Sequence, residues 1–177
     1  MGVFGQTAPM RIRHALSLAA LVATGPAFAL NLCPGWDDPL PEGEPRYEVF
    51  ASPYTHHWSF SEDHEQVYLL SLSRRLPNDR MCGLALFSNS FGQPSAYAYV
   101  AKSIPHLFTR WPELYVTVSA GILYGYVGQY KDKVPLNVGG FSPAIIPSVG
   151  YRLNDRIAIE VQFLGTAAFM VGTTVRF

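Results

Sequence analysis

Charged residues are scarce in this chain of 177 residues, and their signs cancel. Asp, Glu, Lys and Arg make up 15% of the sequence, against about a quarter in a typical soluble domain. The net charge of zero argues against a nucleic-acid partner, because binding to phosphates needs a cationic excess. So low a charge also indicates that part of the protein surface does not face water.

Long apolar runs are absent as well, since none reaches the ~18–20 residues of a membrane-spanning helix. The longest lies near the N-terminus, where two arginines precede an apolar stretch at 15–24 and an Ala-Phe-Ala motif at 27–29. This order is typical of a secretory signal peptide. We therefore predict a signal peptide over residues 1–29, a true start at Met10, and an exported mature chain.

Cysteine is nearly absent, with Cys33 and Cys82 the only two in the sequence. In an oxidising compartment they could form a disulfide, and the sequence leaves this open. Residues 30–45 are rich in proline and polar residues and show no helical period. This composition predicts an extended periplasmic arm.

From residue 46 onward, apolar and polar residues alternate with a period of two, which is typical of β-strands. In "RIAIEVQF", for example, the apolar residues at 157, 159, 161 and 163 share one face, and Glu160 and Gln162 lie on the other. Eight such segments are predicted. They cover residues 46–57, 65–74, 81–89, 95–103, 113–126, 140–152, 156–164 and 168–177.

Several segments have the ~9–11 residues of a strand that crosses a membrane at a tilt. The last one ends on Phe177, as the last strand of outer-membrane barrels does. A closed barrel would also satisfy every backbone N–H and C=O group within lipid. We therefore predict an all-β fold over residues 46–177, an eight-stranded antiparallel transmembrane β-barrel of the bacterial outer membrane. A soluble lipocalin-like barrel or a β-sandwich is the alternative.

The predicted topology brings a histidine and a serine to one rim of this barrel. With both chain ends in the periplasm, the first strand delivers His57 to the exterior, and the third delivers Asn89 and Ser90. Histidine beside serine is the basis of acyl transfer, although no G-x-S-x-G motif is present. Adjacent His56 and His57 point to opposite faces of a strand, and no metal site is predicted. Rim histidines at the lipid headgroups are the simpler interpretation.

Three segments resemble the lipid A palmitoyltransferase family (PagP). "YTHHWSF" has the family's Thr-x-His-x-x-Phe spacing, "LFSNSF" stands where the family has Phe-x-Asp-Ser, and "PAIIPSVGY" has prolines before Ser-Val-Gly-Tyr. The matching residues are Thr55, His57, Phe60, Phe87, Asn89, Ser90, Pro143 and Pro147.

The resemblance implies a monomeric outer-membrane enzyme that moves a fatty acyl chain from a phospholipid donor to the lipid A part of lipopolysaccharide. It implies that His57 and Ser90 are the catalytic pair and that Asn89 positions them through a hydrogen bond. It implies no metal and no soluble cofactor. Pro143 and Pro147 would open the barrel wall so that lipid enters sideways.

Three departures from the family pattern affect these expectations. The Pro-rich segment before Arg46 shows no helical period where the family has an N-terminal amphipathic helix. Asn89 replaces an Asp, and an amide cannot act as a base, so Glu62 or Asp63 could take over that role. In the fourth strand, Ala98 or Tyr99 replaces a glycine that sets the depth of the family's acyl pocket.

An inward Tyr99 would shorten the acyl slot. However, the commoner arrangement is an aromatic girdle, so we expect Tyr97 and Tyr99 to face lipid. Gly121 is expected at the interior, where a bulky substitution would displace a ligand.

Two other functions fit the same pattern. A non-catalytic barrel that binds a lipid or a small hydrophobic ligand is favoured by the loss of the Asp. A lipid A deacylase would need a His-x-Ser arrangement, and His57-Trp58-Ser59 has that order.

Overall fold

The computed structural model describes residues 33–177, so the predicted signal peptide and the start at Met10 lie outside the described residues. Residues 35–177 form one compact unit. Residues 33–46 consist of turns and irregular segments. Cys33 and Cys82 are both disulfide-bonded. None of the helices among the described residues is long and apolar enough to cross a membrane.

Eight antiparallel strands close into a barrel in sequence order, as the alternation predicts. The described chain also contains a short 3-10 helix, Gly128–Lys133, between the fifth and sixth strands. The strands are β1 (Tyr47–His57), β2 (Leu69–Leu76), β3 (Arg80–Ser88), β4 (Pro94–Pro105), β5 (Leu114–Tyr124), β6 (Phe141–Arg152), β7 (Ile157–Leu164) and β8 (Ala168–Arg176).

The observed β2 begins four residues later than the predicted strand, at Leu69 instead of residue 65. The intervening segment makes loop contacts in place of ladder bonds. The amide of Glu65 donates to the carbonyl of Ser90 (2.8 Å), and the Thr55 hydroxyl donates to the carbonyl of Val67 (3.3 Å). These contacts hold the loop against the barrel mouth.

The apolar face of the strands points outward and the polar face points inward. Ser73, Thr117 and Thr174 are buried in the interior, whereas large aliphatic side chains of the same strands are exposed. A soluble monomer rarely exposes so extensive an apolar surface, but hydrocarbon around a membrane barrel solvates it. The exposed aliphatic residues include Leu70, Leu72, Leu84, Leu86, Val100, Val118, Ile122, Ile145, Val149 and Ile159.

Polar contacts lie inside the barrel in the half near the chain ends. Arg176 Nε donates to Glu48 Oε2 across the β8–β1 pair at 2.8 Å, and the Tyr115 hydroxyl donates to buried Glu160 at 3.1 Å. Because charged groups inside a barrel need partners, these contacts provide hydrogen-bond donors for the carboxyl groups of Glu48 and Glu160.

Glycines make room for two inward tyrosines. Tyr99 pairs with Gly83 on β3, and Tyr115 pairs with Gly150 on β6. In both pairs the tyrosine ring occupies the space that a Cβ on the glycine would need. The prediction that Tyr97 and Tyr99 face lipid is therefore wrong, since Tyr97 is only 4% exposed and both rings line the interior.

Candidate functional site

His57 and Ser90 meet at the mouth of the barrel. His57 is the last residue of β1, and Ser90 lies in the turn after β3. His57 Nε2 is 2.7 Å from Ser90 Oγ, a hydrogen bond between residues 33 positions apart. A neutral imidazole protonated on Nδ1 accepts the hydroxyl proton at Nε2. The structure thus brings together the two residues predicted as the catalytic pair, in the geometry that activates a serine nucleophile.

Asn89 holds the loop that carries Ser90. Its side chain is fully buried, and its Oδ1 accepts hydrogen bonds from the amides of Phe91 (2.9 Å) and Gln93 (3.1 Å). This is the local side-chain-to-backbone pattern by which Asn stabilises a turn. Asn89 was predicted among the catalytic residues to position the pair through a hydrogen bond; its side-chain hydrogen bonds go to Phe91 and Gln93 of the Ser90 turn.

Gln93 connects this turn to the chain after β5. The Asn89 Nδ2 group donates to Gln93 Oε1 at 3.3 Å. Gln93 Oε1 also accepts from the amide of Val127 (3.1 Å), and its Nε2 donates to the Val127 carbonyl (3.2 Å). Since Val127 offers both a donor and an acceptor, the orientation of the Gln93 amide is determined.

An imidazole, and not a carboxylate, lies against His57. The rings of His57 and His64 stack with centroids 4.3 Å apart. Glu62 and Asp63 on the same loop are exposed, and no hydrogen bond or ion pair among residues 33–177 joins either to His57. Neither carboxylate of the β1–β2 loop therefore takes the place of the Asp found in the family that the sequence resembles. No group of three potential metal ligands occurs among the described residues.

Tyr126 is a site residue that the sequence did not reveal. It follows β5 with a φ of 56°, an unusual conformation for a bulky residue that often marks a functional site. Burial raises the pKa of the Tyr126 phenol above its ordinary value, and a hydrogen bond with the Ser90 side chain lowers it by less. A positive φ at a tyrosine leaves no signature in the sequence pattern, so the sequence could not identify Tyr126 as a site residue.

A cavity of about 450 Å³ extends from His57 and Ser90 into the barrel. That volume falls within the ~300–1,000 Å³ of typical small-molecule sites. Within the cavity Tyr97 and Tyr99 stack with centroids 5.1 Å apart, and the Tyr99 hydroxyl bonds to Ser73 Oγ at 2.7 Å; the lining continues past them to Met81 and Ala101. The larger apolar side chains along the cavity are Phe50, Val67, Leu69, Met81, Phe87, Leu123, Ile146, Leu164 and Met170.

The barrel wall is open between β6 and β7. β6 pairs with β5 along its whole length, but it pairs with β7 only from Ser148 to Arg152. Pro143 and Pro147 are four residues apart, so the N–H groups they lack would point to the same neighbouring strand. The two prolines of β6 therefore coincide with a gap in the hydrogen-bond ladder.

Predicted substrate contacts are only partly placed at the cavity. Pro143 and Tyr99 line it, whereas Pro147, Ala98 and Gly121 do not. Ala98 was wrongly expected there, because β4 turns it to the exposed outer face. At Gly121 the backbone of β4 approaches so closely that a Cβ would collide with the Ala98 carbonyl oxygen.

A second gap lies beside His57, where β1 pairs with β2 only from Tyr47 to Ser52. The outer part of β1 is therefore held mainly by β8. Ser59 lies beyond the end of β1 and is exposed, so the His-x-Ser arrangement of a deacylase is not assembled there.

Comparison with known proteins supports the fold. No protein-family model matches the chain, and no curated protein is significantly similar to it in sequence. A de novo designed transmembrane β-barrel superimposes with a TM-score of 0.53 and 12% identity, covering 78% of this chain and 100% of the design. The Yersinia pestis outer membrane protein Ail gives a TM-score of 0.42 at 11% identity, covering 76% and 100%. With its apolar outer face and its similarity to the design, this chain has the fold of an eight-stranded transmembrane β-barrel.

Proposed function

We propose that this protein is an acyltransferase of the bacterial outer membrane, which moves a fatty acyl chain from a phospholipid to lipid A. The observation that carries the proposal is the 2.7 Å contact between His57 Nε2 and Ser90 Oγ at the mouth of an interior cavity. The resemblance of the surrounding segments to the lipid A palmitoyltransferase family supports the choice of substrates.

The proposed reaction has two balanced steps. Ser90 Oγ attacks the ester carbonyl carbon of the phospholipid while His57 Nε2 takes the hydroxyl proton. The bond to the glycerol oxygen breaks, and His57 passes the proton to the departing lysophospholipid. A hydroxyl group of lipid A then attacks the acyl-Ser90 ester, and its proton returns through His57 to Ser90 Oγ.

The membrane setting suits this chemistry. The donor acyl chain would lie among the apolar residues of the cavity, alongside Tyr97 and Tyr99. The opening between β6 and β7 offers a lateral path from lipid. Holding both lipids beside the Ser90–His57 pair, in a water-poor cavity, would supply much of the rate enhancement.

Mass spectrometry of lipid A tests the proposal. Expression of the protein in a Gram-negative host should add one acyl chain to lipid A. General base catalysis contributes about 10²–10⁴-fold, so His57→Ala and Ser90→Ala should reduce the product to background. His56→Ala is the matched control, since this neighbouring imidazole faces outward against Trp58 and Phe169.

Unchanged lipid A with wild-type protein folded in the membrane would refute the proposal. Equal product from wild type and Ser90→Ala would do the same. A lipid A that loses a chain, in dependence on Ser59, would identify a deacylase instead.

A non-catalytic lipid-binding barrel is the second candidate. It is favoured by the contacts of His57, because no carboxylate among the described residues bonds to its ring. This function predicts a lipid that co-purifies with the barrel and unchanged lipid A in every variant.

A further inference from the structure

An aromatic column joins three loops above Ser90. The ring of Phe91 stacks on Tyr130 with centroids 4.2 Å apart. The Phe91 ring also meets His64 edge-on, with centroids 5.7 Å apart, and His64 in turn stacks on His57 at 4.3 Å. His64, Phe91 and Tyr130 come from the β1–β2, β3–β4 and β5–β6 loops, and His57 ends β1, so the column crosses the mouth from one side to the other.

Phe91 is at the centre of this column and is the residue directly after Ser90. Its amide is held by Asn89 Oδ1 at 2.9 Å, which determines the direction in which the chain leaves the serine. Lys133 Nζ lies 5.6 Å from the centre of the ring, and the Tyr126 ring meets it edge-on at 6.1 Å. Phe91 is therefore packed from several sides.

The β5–β6 loop completes the cover. Lys133, Val134 and Pro135 of this loop line the cavity. The Ser142 hydroxyl, at the start of β6, donates to the carbonyl of Pro135. These contacts draw the loop over the mouth, while the lateral gap beside Pro143 leaves a path from lipid.

We propose that Phe91 determines acceptor specificity, by keeping water away from the Ser90 ester so that the acyl chain passes to a lipid hydroxyl. This inference rests on the proposed acyltransferase function. In hydrolysis, water attacks the acyl-Ser90 carbonyl, its proton passes through His57 back to Ser90 Oγ, and a free fatty acid leaves. Bulk water reaches the ester through the mouth, whereas a lipid acceptor arrives from the membrane.

The experiment measures two products from one donor. Full-length protein in detergent micelles receives a phospholipid with a radiolabelled acyl chain, together with lipid A. Free fatty acid and acylated lipid A are then quantified from the same reaction. Phe91→Ala should raise the ratio of hydrolysis to transfer roughly tenfold, because it removes the two ring contacts that Phe91 makes within the column, with Tyr130 and His64.

Tyr130→Ala should act in the same direction, since it removes the stacking partner and leaves the Ser90 turn intact. Phe91→Tyr keeps the ring and should keep the wild-type ratio. Phe169→Ala is the matched control, because this aromatic residue at the same rim contacts His56 and Trp58 and not the column.

The outcomes separate the two proposals. A wild-type enzyme that acylates lipid A, with ratios unchanged in Phe91→Ala and Tyr130→Ala, overturns the role of Phe91 and leaves the acyltransferase standing. A wild-type protein that forms neither product overturns both. Folded barrels show a heat-dependent gel shift, so its absence identifies a misfolded Phe91→Ala variant. In that case the ratio of hydrolysis to transfer in Tyr130→Ala decides whether the proposal holds.

Discussion

Replacing Asn89 with Asp, the residue at this place in the family that the sequence resembles, should impair this protein. Asn89 is fully buried, and its Nδ2 donates to Gln93 Oε1 at 3.3 Å. A carboxylate has no proton to donate, so Asn89→Asp would bring two acceptors together. Gln93 cannot reverse its amide without losing both of its hydrogen bonds to Val127.

The size of the expected loss in acyl-transfer rate follows from these contacts. Asp keeps the two bonds that Oδ1 accepts from Phe91 and Gln93 and loses the third, leaving an unpaired acceptor beside a buried charge. Each such loss costs about 1–3 kcal/mol. If the turn must be formed for catalysis, a cost of one or two kcal/mol lowers the rate of acyl transfer roughly 5- to 30-fold. Asn89→Ala loses all three bonds and should fall further.

The assay is the initial rate of lipid A acylation by purified protein, with the folded fraction taken from gel mobility. Asn154→Asp is the matched control, because Asn154 Oδ1 also accepts two backbone amides, from Arg156 (2.9 Å) and Ile157 (2.8 Å), in an exposed turn at the opposite end. It should leave the rate unchanged. A faster Asn89→Asp enzyme would refute the reasoning and indicate that a carboxylate at this position assists His57 directly.

Three further predictions concern the barrel interior and Tyr126. Tyr99→Ala should shift the transferred chains to greater length in lipid A mass spectra, because removing the ring widens the cavity, whose lining continues past Tyr99 to Met81 and Ala101; an unchanged chain length would show that the ring does not limit the acyl chain. Arg176→Met leaves Glu48 without its 2.8 Å partner and should destabilise the barrel by about 3–5 kcal/mol in denaturant titrations, with recovery in the double variant Glu48→Gln/Arg176→Met. Burial raises the pKa of the Tyr126 phenol, so the phenol stays protonated beyond its ordinary pKa of about 10. The pH profiles of acyl transfer by wild type and Tyr126→Phe should therefore run parallel up to about pH 10, and an alkaline decline seen only in wild type would contradict this.

The gap between β6 and β7 shows how much the amino-acid composition of one strand can predict. Two prolines in β6 indicated missing hydrogen bonds, because proline has no N–H. The structure shows that the missing pairs lie towards β7, between Phe141 and Pro147. The gap beside β1 had no comparable signal in our interpretation, since it depends on where β2 begins.

The sequence by itself determined the number of strands and which residues of a strand share a face, because a period of two is a local property of an extended chain. It also indicated that His57 and Ser90 share a rim, since that follows from strand order and direction. Only the tertiary structure decided that their atoms are 2.7 Å apart, that Asn89 holds a turn, and that Tyr99 points inward against Gly83. These features depend on the register between strands and on loops that meet across the barrel mouth, and no local pattern encodes either.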